Sequence, residues 1–318
     1  MNTVPTDKLI NNYDNEIGLH ELLHILSDKI FHIGVITSIF SLISIIVALM
    51  LPNIYQSEAK MMPIEDDQEM GGMLRQYSGM ASLAGISLPS DSGSKAKEAI
   101  ARIQSFEFFS NSFLPYIKLE NLMAVKKWNQ ATNNLIYNKR YFNPESGQWL
   151  RKVRPPKSII PSSQEAYKQY KKIMDISEDK KTSFVTLSVE HESPVIAQQW
   201  VEIILNQIDQ VMRDQDRQEA QQSIEYLNSL TPTVNYEEIK QSFASLQEQQ
   251  MKKLMMVEAN KNYIFKVLDS PIVPEIKSKP KRSLIVILSS ILGLMLSALG
   301  VLVYHYKRNS EQDEPDFL

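Results

Sequence analysis

The sequences IGVITSIFSLISIIVALML (residues 33–51) and LIVILSSILGLMLSALGVLVY (residues 284–304) decide the class of this protein. Each is about twenty residues long and has no charged side chain, which is the length an α-helix needs to cross a hydrocarbon core of about 30 Å. A cleavable signal sequence has a shorter apolar run, and 32 mostly polar residues precede the first stretch here. Both stretches are therefore predicted to be uncleaved membrane helices.

Two membrane helices divide the chain into five parts and place both termini on the same side of the membrane. The predicted parts are an N-terminal segment (1–32), the first helix (33–51), a middle domain (52–283), the second helix (284–304) and a C-terminal tail (305–318). Basic residues flank the helices on both sides. Since the positive-inside rule weakens for long translocated domains, this count does not assign the middle domain to a compartment.

Composition excludes several kinds of activity. The formal net charge is −3 over 318 residues, whereas nucleic-acid-binding domains are usually strongly basic, so no nucleic-acid partner is predicted. Cysteine is absent, which removes thiol catalysis, cysteine-ligated zinc and disulfides. No pair of residues has the pattern of an acid–base or nucleophilic site. The sequence therefore predicts a protein that is not an enzyme and that has no cofactor and no metal.

One pattern resembles a metal site. His20, Glu21 and His24 spell HExxH, which on a helix presents two imidazoles for zinc and a glutamate as general base. A catalytic zinc needs a third protein ligand in an enclosed cavity, and the nearest histidine, His32, lies two turns further on at the membrane edge. An amphipathic helix before the bilayer is the preferred interpretation.

The strands of the middle domain are predicted from alternation of apolar and polar residues. Residues 53–62 and 263–268 are strand candidates close to the two membrane helices. Residues 184–190 alternate most clearly, which is typical of a half-buried strand. The side chains on its apolar face are Val185, Leu187 and Val189.

Two shorter helices are predicted in the same domain. One runs from Ser94 as N-cap to residue 113. Another opens where Ser162 and Glu165 have capping-box spacing and continues to about residue 174. The residues expected on the buried face of the first helix are Ala99, Ile103, Phe106 and Phe109 or Ser110.

A long helix is the most informative element of the middle domain. Ser193 is an N-cap candidate, Pro194 suits the first helical position, and neither proline nor glycine recurs before Pro232. The first half of the helix is strongly apolar, but residues 213–223 are polar on all sides except at one alanine, and such a helix is not buried in a core. The helix is predicted to start packed in the domain and then to project as an arm that returns by residue 260. An ordinary long hairpin inside a larger core is the alternative.

The stretch VLDSPIVPEIKSKPKR (residues 267–282), which leads directly into the second apolar helix, resembles the end of the periplasmic domain in Wzz-type chain-length determinants, the polysaccharide co-polymerases. The order of further matching stretches is also similar to that family. They are EIGLHELL (16–23), SLAGI (82–86), EAI (98–100) with QS (104–105), and SFVTLSV (183–189).

The resemblance implies a fold, a location and a function. The fold would be an α+β protein in which two transmembrane helices flank a periplasmic α/β base domain with a long projecting helical arm. The protein would lie in the bacterial inner membrane with both termini cytoplasmic, and several copies would form a ring. It would regulate the chain length of a surface polysaccharide as an oligomeric scaffold beside a Wzy-type polymerase that joins lipid-linked oligosaccharides.

Two observations bear on the subgroup. About fourteen residues follow Tyr304 and no GxxxxGK[ST] phosphate loop occurs, which resembles the short O-antigen regulators of lipopolysaccharide and differs from relatives with a tyrosine kinase domain. The tether departs from the usual spacing because Lys277 or Ser278 replaces its middle proline. A co-polymerase for capsule or exopolysaccharide export, or a two-helix membrane sensor or adaptor with a periplasmic ligand domain, are the alternatives.

Three groups of candidate functional residues follow. The tether motif before the second helix comprises Pro271, Pro274, Pro280, Lys281 and Arg282. Stripes of small residues, which permit close helix packing but are also common in membrane helices, comprise Gly34, Ser38, Ser41 and Ala48 in the first helix and Ser289, Gly293, Ser297 and Gly300 in the second. Possible inter-subunit or glycan contacts in the 71–89 loop are Met80, Leu83 and Ile86.

Two further groups have ordinary structural interpretations. The basic cluster Arg151, Lys152 and Arg154 is predicted to be a solvated loop rather than a contact for acidic sugar. Five aromatic residues are predicted to pack in the core or at an interface rather than to stack on sugars. They are Trp128, Tyr137, Tyr141, Phe142 and Trp149.

Overall fold

A computed structural model of the protein describes residues 19–64, 94–233 and 236–312. Two compact units are present: one holds the described residues up to Pro52 and from Lys279 onward, and the other is Asn53–Ser278. The helices are α1 (Leu19–Asp28), α2 (Ile30–Met50), α3 (Ser94–Ile103), α4 (Phe106–Phe108), α5 (Leu119–Met123), α6 (Ser163–Ile173), α7 (Pro194–Leu230), α8 (Glu237–Ala259) and α9 (Arg282–Gln312). The strands are β1 (Tyr55–Pro63), β2 (Val125–Asn129), β3 (Asn134–Tyr137), β4 (Phe142–Asn143), β5 (Gln148–Trp149), β6 (Met174–Glu178), β7 (Val185–His191) and β8 (Phe265–Asp269).

The unit formed by the chain ends is helical and apolar. Helix α2 and the part of α9 up to Lys307 are 21 and 26 residues long, and both are long and apolar enough to cross a membrane. Most of their apolar side chains face outward, which suits lipid and would be unfavourable in water. In hydrocarbon every backbone group must be satisfied within the chain, so a run without charges is stable there as a helix. The prediction of two apolar helices around a mixed α/β middle part is confirmed.

A four-stranded antiparallel sheet in the order β6-β7-β1-β8 organises the second unit. Strand β1 lies inside the sheet, opposite β7 with Ser57 facing Val189, and opposite β8 with Met61 facing Val267. Along β1 the buried residues alternate with more exposed ones, as the period of two requires. The strands predicted at 53–62, 184–190 and 263–268 therefore correspond to β1, β7 and β8, with small shifts at their ends.

The hydrophobic core lies between this sheet and the helices packed on it. Its largest side chains form an aromatic cluster, in which the Phe109 and Tyr170 ring centroids are 5.0 Å apart and those of Phe113 and Trp200 are 5.8 Å apart. The Tyr170 hydroxyl donates to the Ile103 carbonyl at 2.9 Å, so its polar atom is satisfied although the ring is fully buried. Helices α3, α6 and α7 are fixed to one another at this cluster.

The prediction of one continuous helix from Ser94 to residue 113 is wrong. Helix α3 ends at Ile103, and the Ser105 hydroxyl then accepts a hydrogen bond from the Phe108 amide at 3.1 Å, which caps a new helical turn. A π-helical turn, Phe109–Phe113, follows. The break changes which residues face inward: Phe109 is fully buried, whereas Phe106, expected on the same face, is 40% exposed.

Helix α6 begins as predicted. The Ser162 hydroxyl accepts from the Glu165 amide at 3.3 Å, and the Glu165 carboxylate accepts from the Ser162 amide at 3.3 Å. This reciprocal capping box satisfies two backbone donors that a helix start otherwise leaves without partners.

The long helix is present over the predicted length. Helix α7 has 37 residues, with Ser193 as its N-cap and Pro194 in its first turn, and α8 returns beside it. One face of the first half of α7 is buried in the core, and among the side chains described between residues 221 and 256 none is buried. We refer to residues 221–256 as the arm. The polar stretch is buried further than predicted, because Asp216 and Ala220 are both buried.

Candidate functional sites in the membrane helix pair, the tether and the arm

The two apolar helices pack against each other at Gly293. A methyl group added at this glycine would have its carbon 2.7 Å from Cβ of Phe40 on α2, which is closer than real side chains approach. The glycine therefore allows the Phe40 side chain to lie against the backbone of α9. In lipid, where apolar side chains gain nothing from leaving water, such close backbone packing is what holds helices together.

Other small residues take unequal parts in this contact. The hydroxyl oxygens of Thr37 and Ser297 are 3.5 Å apart across the two helices, and Ser297 and Ala48 are buried. Ser41 and Ser289 are half-buried. Gly34, Ser38 and Gly300 are exposed, and nothing lies within 4 Å of a Cβ built on either glycine. Only part of the small-residue stripes thus lies between the two helices.

Arg282 connects the start of α9 to the end of α2. Its guanidinium Nε donates to the Ala48 carbonyl at 3.0 Å. Ala48 is in the last turn of α2, where backbone carbonyls have no partner within the helix and the helix dipole favours a positive charge. Arg282 therefore caps one membrane helix while it begins the other. Within the same unit, Lys281 is exposed and Pro280 is half-buried.

The tether, residues 270–278, follows β1 beyond the end of β8 without forming a strand. The Ser57 hydroxyl donates to the Ile272 carbonyl at 2.7 Å, and the Ser278 amide donates to the Ile54 carbonyl at 2.8 Å. The Ser278 hydroxyl also donates to the Gln56 side chain at 3.1 Å. Pro271 and Pro274 have no backbone N–H and cannot donate to a ladder, and the Ser57 and Ser278 side chains and the Ser278 amide bond this segment to the sheet.

A buried carboxylate lies at the base of the arm. Asp216 is 7% exposed, and its oxygens lie 2.6 Å from Nζ of Lys253 on α8 and 3.3 Å from Nζ of Lys95 on α3. The hydroxyl of Tyr263, which precedes β8, also donates to it. Burial raises the pKa of the Asp216 carboxyl, but the bonds from Lys253 and Tyr263 and the charge of Lys95 outweigh burial and lower the pKa.

A second polar contact lies one turn earlier on α7. Arg213 donates to Asp209 at 2.7 Å and to the carbonyls of Val257 and Lys261 at 2.5 and 2.9 Å, so it caps the end of α8. Asp209 in turn accepts from the Tyr263 amide at 2.9 Å. This cluster was not predicted from the sequence, because the polar stretch was interpreted as solvated. The spacing of residues 209, 213 and 216, which places three charges on one helical face, was the available signal.

A small cleft of about 190 Å³ lies beside His191. The His191 ring is buried, its Nδ1 accepts from the Ser193 amide at 2.9 Å, and its Nε2 lies 3.0 Å from the Asn121 carbonyl. Burial lowers the His191 pKa to about 4, and it raises the pKa of Glu192, another residue of the cleft. The neutral histidine thus joins β7 to α5.

The basic cluster is not a uniformly solvated loop. Arg151 is mostly buried, lies 2.9 Å from the Glu165 carboxylate and donates to the carbonyls of Ser158 and Ile159, so it fixes the loop to the start of α6. The hydrogen bond from Arg151 lowers the Glu165 pKa. Lys152 and Arg154 are exposed, as expected for the loop.

Four of the five aromatic residues take part in ring contacts. Centroid distances are 5.3 Å for Tyr137 and Phe142, 5.2 Å for Phe142 and Trp149, and 5.5 Å for Trp128 and Tyr55. Tyr141 is exposed. These contacts support the prediction that the rings pack against protein.

The HExxH pattern and the 71–89 loop were the remaining predicted groups. Helix α1 contains the HExxH pattern, and the described His24 is exposed with Nδ1 3.5 Å from Asp28. Within the described ranges no cluster of three or more histidine or acidic side chains could hold a metal ion. Met80, Leu83 and Ile86 lie outside the described residues.

Comparison with known proteins adds the family. Residues 15–110 match the family profile of Wzz, the chain length determinant protein, and residues 228–306 match GNVR, described as a G-rich domain on tyrosine kinases. A search of the curated proteins found no match.

Two solved structures are similar at low identity. A full-length bacterial polysaccharide co-polymerase is 14% identical, with a TM-score of 0.39 over 92% of this chain and 99% of that one. A fragment of WzzB, a polysaccharide co-polymerase from Salmonella Typhimurium, is 15% identical, with a TM-score of 0.31 over 71% of this chain and 100% of that one.

The Wzz profile covers the first apolar helix and β1, and the GNVR profile covers most of the arm, the tether and α9 up to residue 306. The chain therefore carries a domain of the Wzz chain length determinant family at residues 15–110 and a GNVR domain at residues 228–306.

Proposed function

We propose that this protein sets the modal chain length of lipopolysaccharide O antigen, as an oligomeric scaffold that works with a Wzy-type polymerase on lipid-linked repeats in the inner membrane. The middle unit would lie in the periplasm and both termini in the cytoplasm. The observation that carries the proposal is the Wzz match over residues 15–110. The GNVR match over residues 228–306 supports it because it contains the tether and the second membrane helix.

The geometry agrees with a scaffold. Arg282 and Gly293 hold the two membrane helices together, and the Asp216 cluster fixes the arm to the sheet at its base. The polar contacts described above join structural elements, and each is explained by packing or helix capping. The arm itself presents a long exposed helical surface.

Deletion of the gene and complementation with defined variants test the proposal. Loss of the protein should change the modal length of the O-antigen ladder on a gel, and the wild-type gene should restore it. Arg282→Ala should restore it poorly because α2 loses a capping contact, whereas Ser283→Ala, a change to an exposed neighbour, should restore it fully. An unchanged ladder in the deletion strain would argue against length control and favour a sensor or adaptor.

Capsule or exopolysaccharide is the second candidate polymer. The GNVR match favours it, because that domain is described on tyrosine kinases. Analysis of both polymers in the same deletion strain separates the candidates, since a change in the capsule with an unchanged O-antigen ladder would reassign the substrate.

Topology and assembly are tested separately. A reporter enzyme that is active only in the cytosol, fused at residue 236 between α7 and α8, should be inactive if the middle unit is periplasmic. In mild detergent the intact protein should migrate as a large homo-oligomer. A monomer at the protein concentration of the assay would contradict the proposed oligomeric scaffold.

A further inference from the structure

The tether exposes large apolar side chains. Ile276 is 82% exposed, more than any other large apolar residue among those described, including the outward-facing residues of α2 and α9. Ile272 is 72% exposed, and Val273 between them is also exposed. Single exposed apolar residues are common on soluble proteins, but here three of five consecutive residues are exposed and apolar, which makes this an apolar segment.

This segment is held in an open conformation. The Ile272 carbonyl accepts from Ser57, and the Ser278 amide donates to the Ile54 carbonyl, so the backbone is fixed to β1 on both sides of Ile276. Pro271 and Pro274 restrict the backbone further, because each fixes its own φ angle. The isoleucines therefore cannot easily turn inward, and their exposure is set by the fold.

Chain connectivity brings the segment to a bilayer. Ile276 is six residues before Arg282, where α9 begins, so it lies within about 20 Å of the start of that membrane helix even if the chain is fully extended. Ile54, which is bonded to Ser278, is only three residues beyond the last residue of the first apolar stretch. Both ends of the middle unit are thus tied to membrane helices by short connections.

The basic residues next to the apolar segment indicate that an anionic lipid surface covers it. In sequence, Lys277, Lys279, Lys281 and Arg282 follow Ile276 directly, and Glu275 is the one acidic residue between positions 272 and 282. Apolar side chains next to lysine and arginine are the composition of segments that lie in the interface of anionic bilayers. A second copy of the same segment would bring like charges together, which opposes pairing between two tethers.

We infer that residues 272–277 are an interfacial membrane-binding segment, in which Ile272, Val273 and Ile276 enter the boundary between headgroups and acyl chains while Lys277 contacts anionic headgroups. This inference rests on the insertion of α9 as a membrane helix. It adds a third contact with the bilayer to the two spanning helices.

The absence of cysteine in the native sequence makes the inference directly testable. Single cysteines are introduced by Ile276→Cys, by Leu292→Cys on the outward face of α9 and by Tyr236→Cys, which is exposed between α7 and α8. Each full-length variant is labelled with an environment-sensitive fluorophore and reconstituted in nanodiscs of phosphatidylcholine and phosphatidylglycerol. The measurement is the loss of emission when nitroxide lipids are included. The nitroxide is near the headgroup for residues 276 and 236, and it is on the acyl chain for residue 292, which lies about 15 Å along α9 from Arg282.

The label at residue 276 should be blue-shifted and quenched by the nitroxide lipid, whereas the label at residue 236 should be neither. Quenching at 292 but not at 276 would overturn the inference and leave membrane insertion intact, and no quenching at 292 would overturn insertion itself. A blue shift at 276 without quenching would mean burial against protein, which also overturns the inference. Val273→Cys is a second reporter if Ile276→Cys fails to fold.

Discussion

Replacing Asp216 with asparagine should loosen the base of the arm without changing its shape. The substitution keeps the size of the side chain but removes the charge that Lys253 and Lys95 face at 2.6 and 3.3 Å. The asparagine oxygen can still accept from Tyr263, so the main loss is one hydrogen bond between charged groups. Such bonds stabilise proteins by about 1.5–3 kcal/mol.

The exposure of Lys253 and Lys95 decides where in this range the loss of stability falls. Both lysine side chains keep access to water and can be partly rehydrated when the carboxylate is lost, so the full penalty of a broken buried pair does not apply. We therefore expect a loss of about 2 kcal/mol, which is roughly a 30-fold increase in the population of locally opened states. The opening should be confined to α8, β8 and α3, which the cluster connects.

Hydrogen exchange of the full-length protein in detergent, read by mass spectrometry, measures this opening. Amides of residues 250–259 should exchange faster in the Asp216→Asn variant by about the calculated factor. Asp214→Asn is the matched control, because Asp214 is on the same helix but its side chain is 57% exposed and pairs with Arg217 at 2.6 Å. An exposed pair contributes about 0.5 kcal/mol, or roughly a twofold change. Equal exchange in the two variants would refute the assignment of Asp216 as the joint of the arm.

Three further predictions address other contacts. Gly293→Leu should force Phe40 away from α9 and reduce disulfide formation between cysteines introduced at positions 37 and 297, whereas Gly300→Leu should not; equal yields would contradict the packing described here. Ser162→Ala should lower the free energy of unfolding by about 1 kcal/mol in chemical denaturation, since the α6 capping box is lost. Burial lowers the His191 pKa to about 4, so between pH 6.5 and 4 this histidine is protonated in the unfolded chain but neutral in the folded protein. The free energy of unfolding should therefore fall by up to about 3 kcal/mol as the pH is lowered from 6.5 to 4. His191→Gln should flatten that dependence, and an unchanged pH profile would show that another group is responsible.

The elements that follow from local physics were predictable from the sequence. A run of about twenty uncharged residues is a helix in lipid because no other conformation satisfies its backbone. Likewise, the caps at Ser162 and Ser193 mark the starts of α6 and α7, because the hydroxyl and the helix amide that it binds are three residues apart. These signals are contained within a few adjacent residues, so no distant part of the chain is needed to interpret them.

The break between α3 and α4 was not predictable in this way. A serine within an apolar, helical pattern is compatible with continuation, and the choice of Ser105 as a cap depends on the packing of Phe109 and Phe113 against Tyr170 and Trp200. Those partners lie more than fifty residues away in the sequence. Tertiary packing therefore decided which aromatic side chains face the core.

For this protein the sequence by itself determined the two membrane helices, the main strands, the long helix and the resemblance to a family. Only the tertiary structure decided that the polar stretch of α7 contains a buried joint at Asp216 and that Arg282 caps α2. It also decided that the isoleucines of the tether remain exposed. The physical reason is that sequence periodicity indicates which face of a single helix or strand is apolar. The residue that pairs with a charge, or that packs over an apolar side chain, comes from a distant part of the chain.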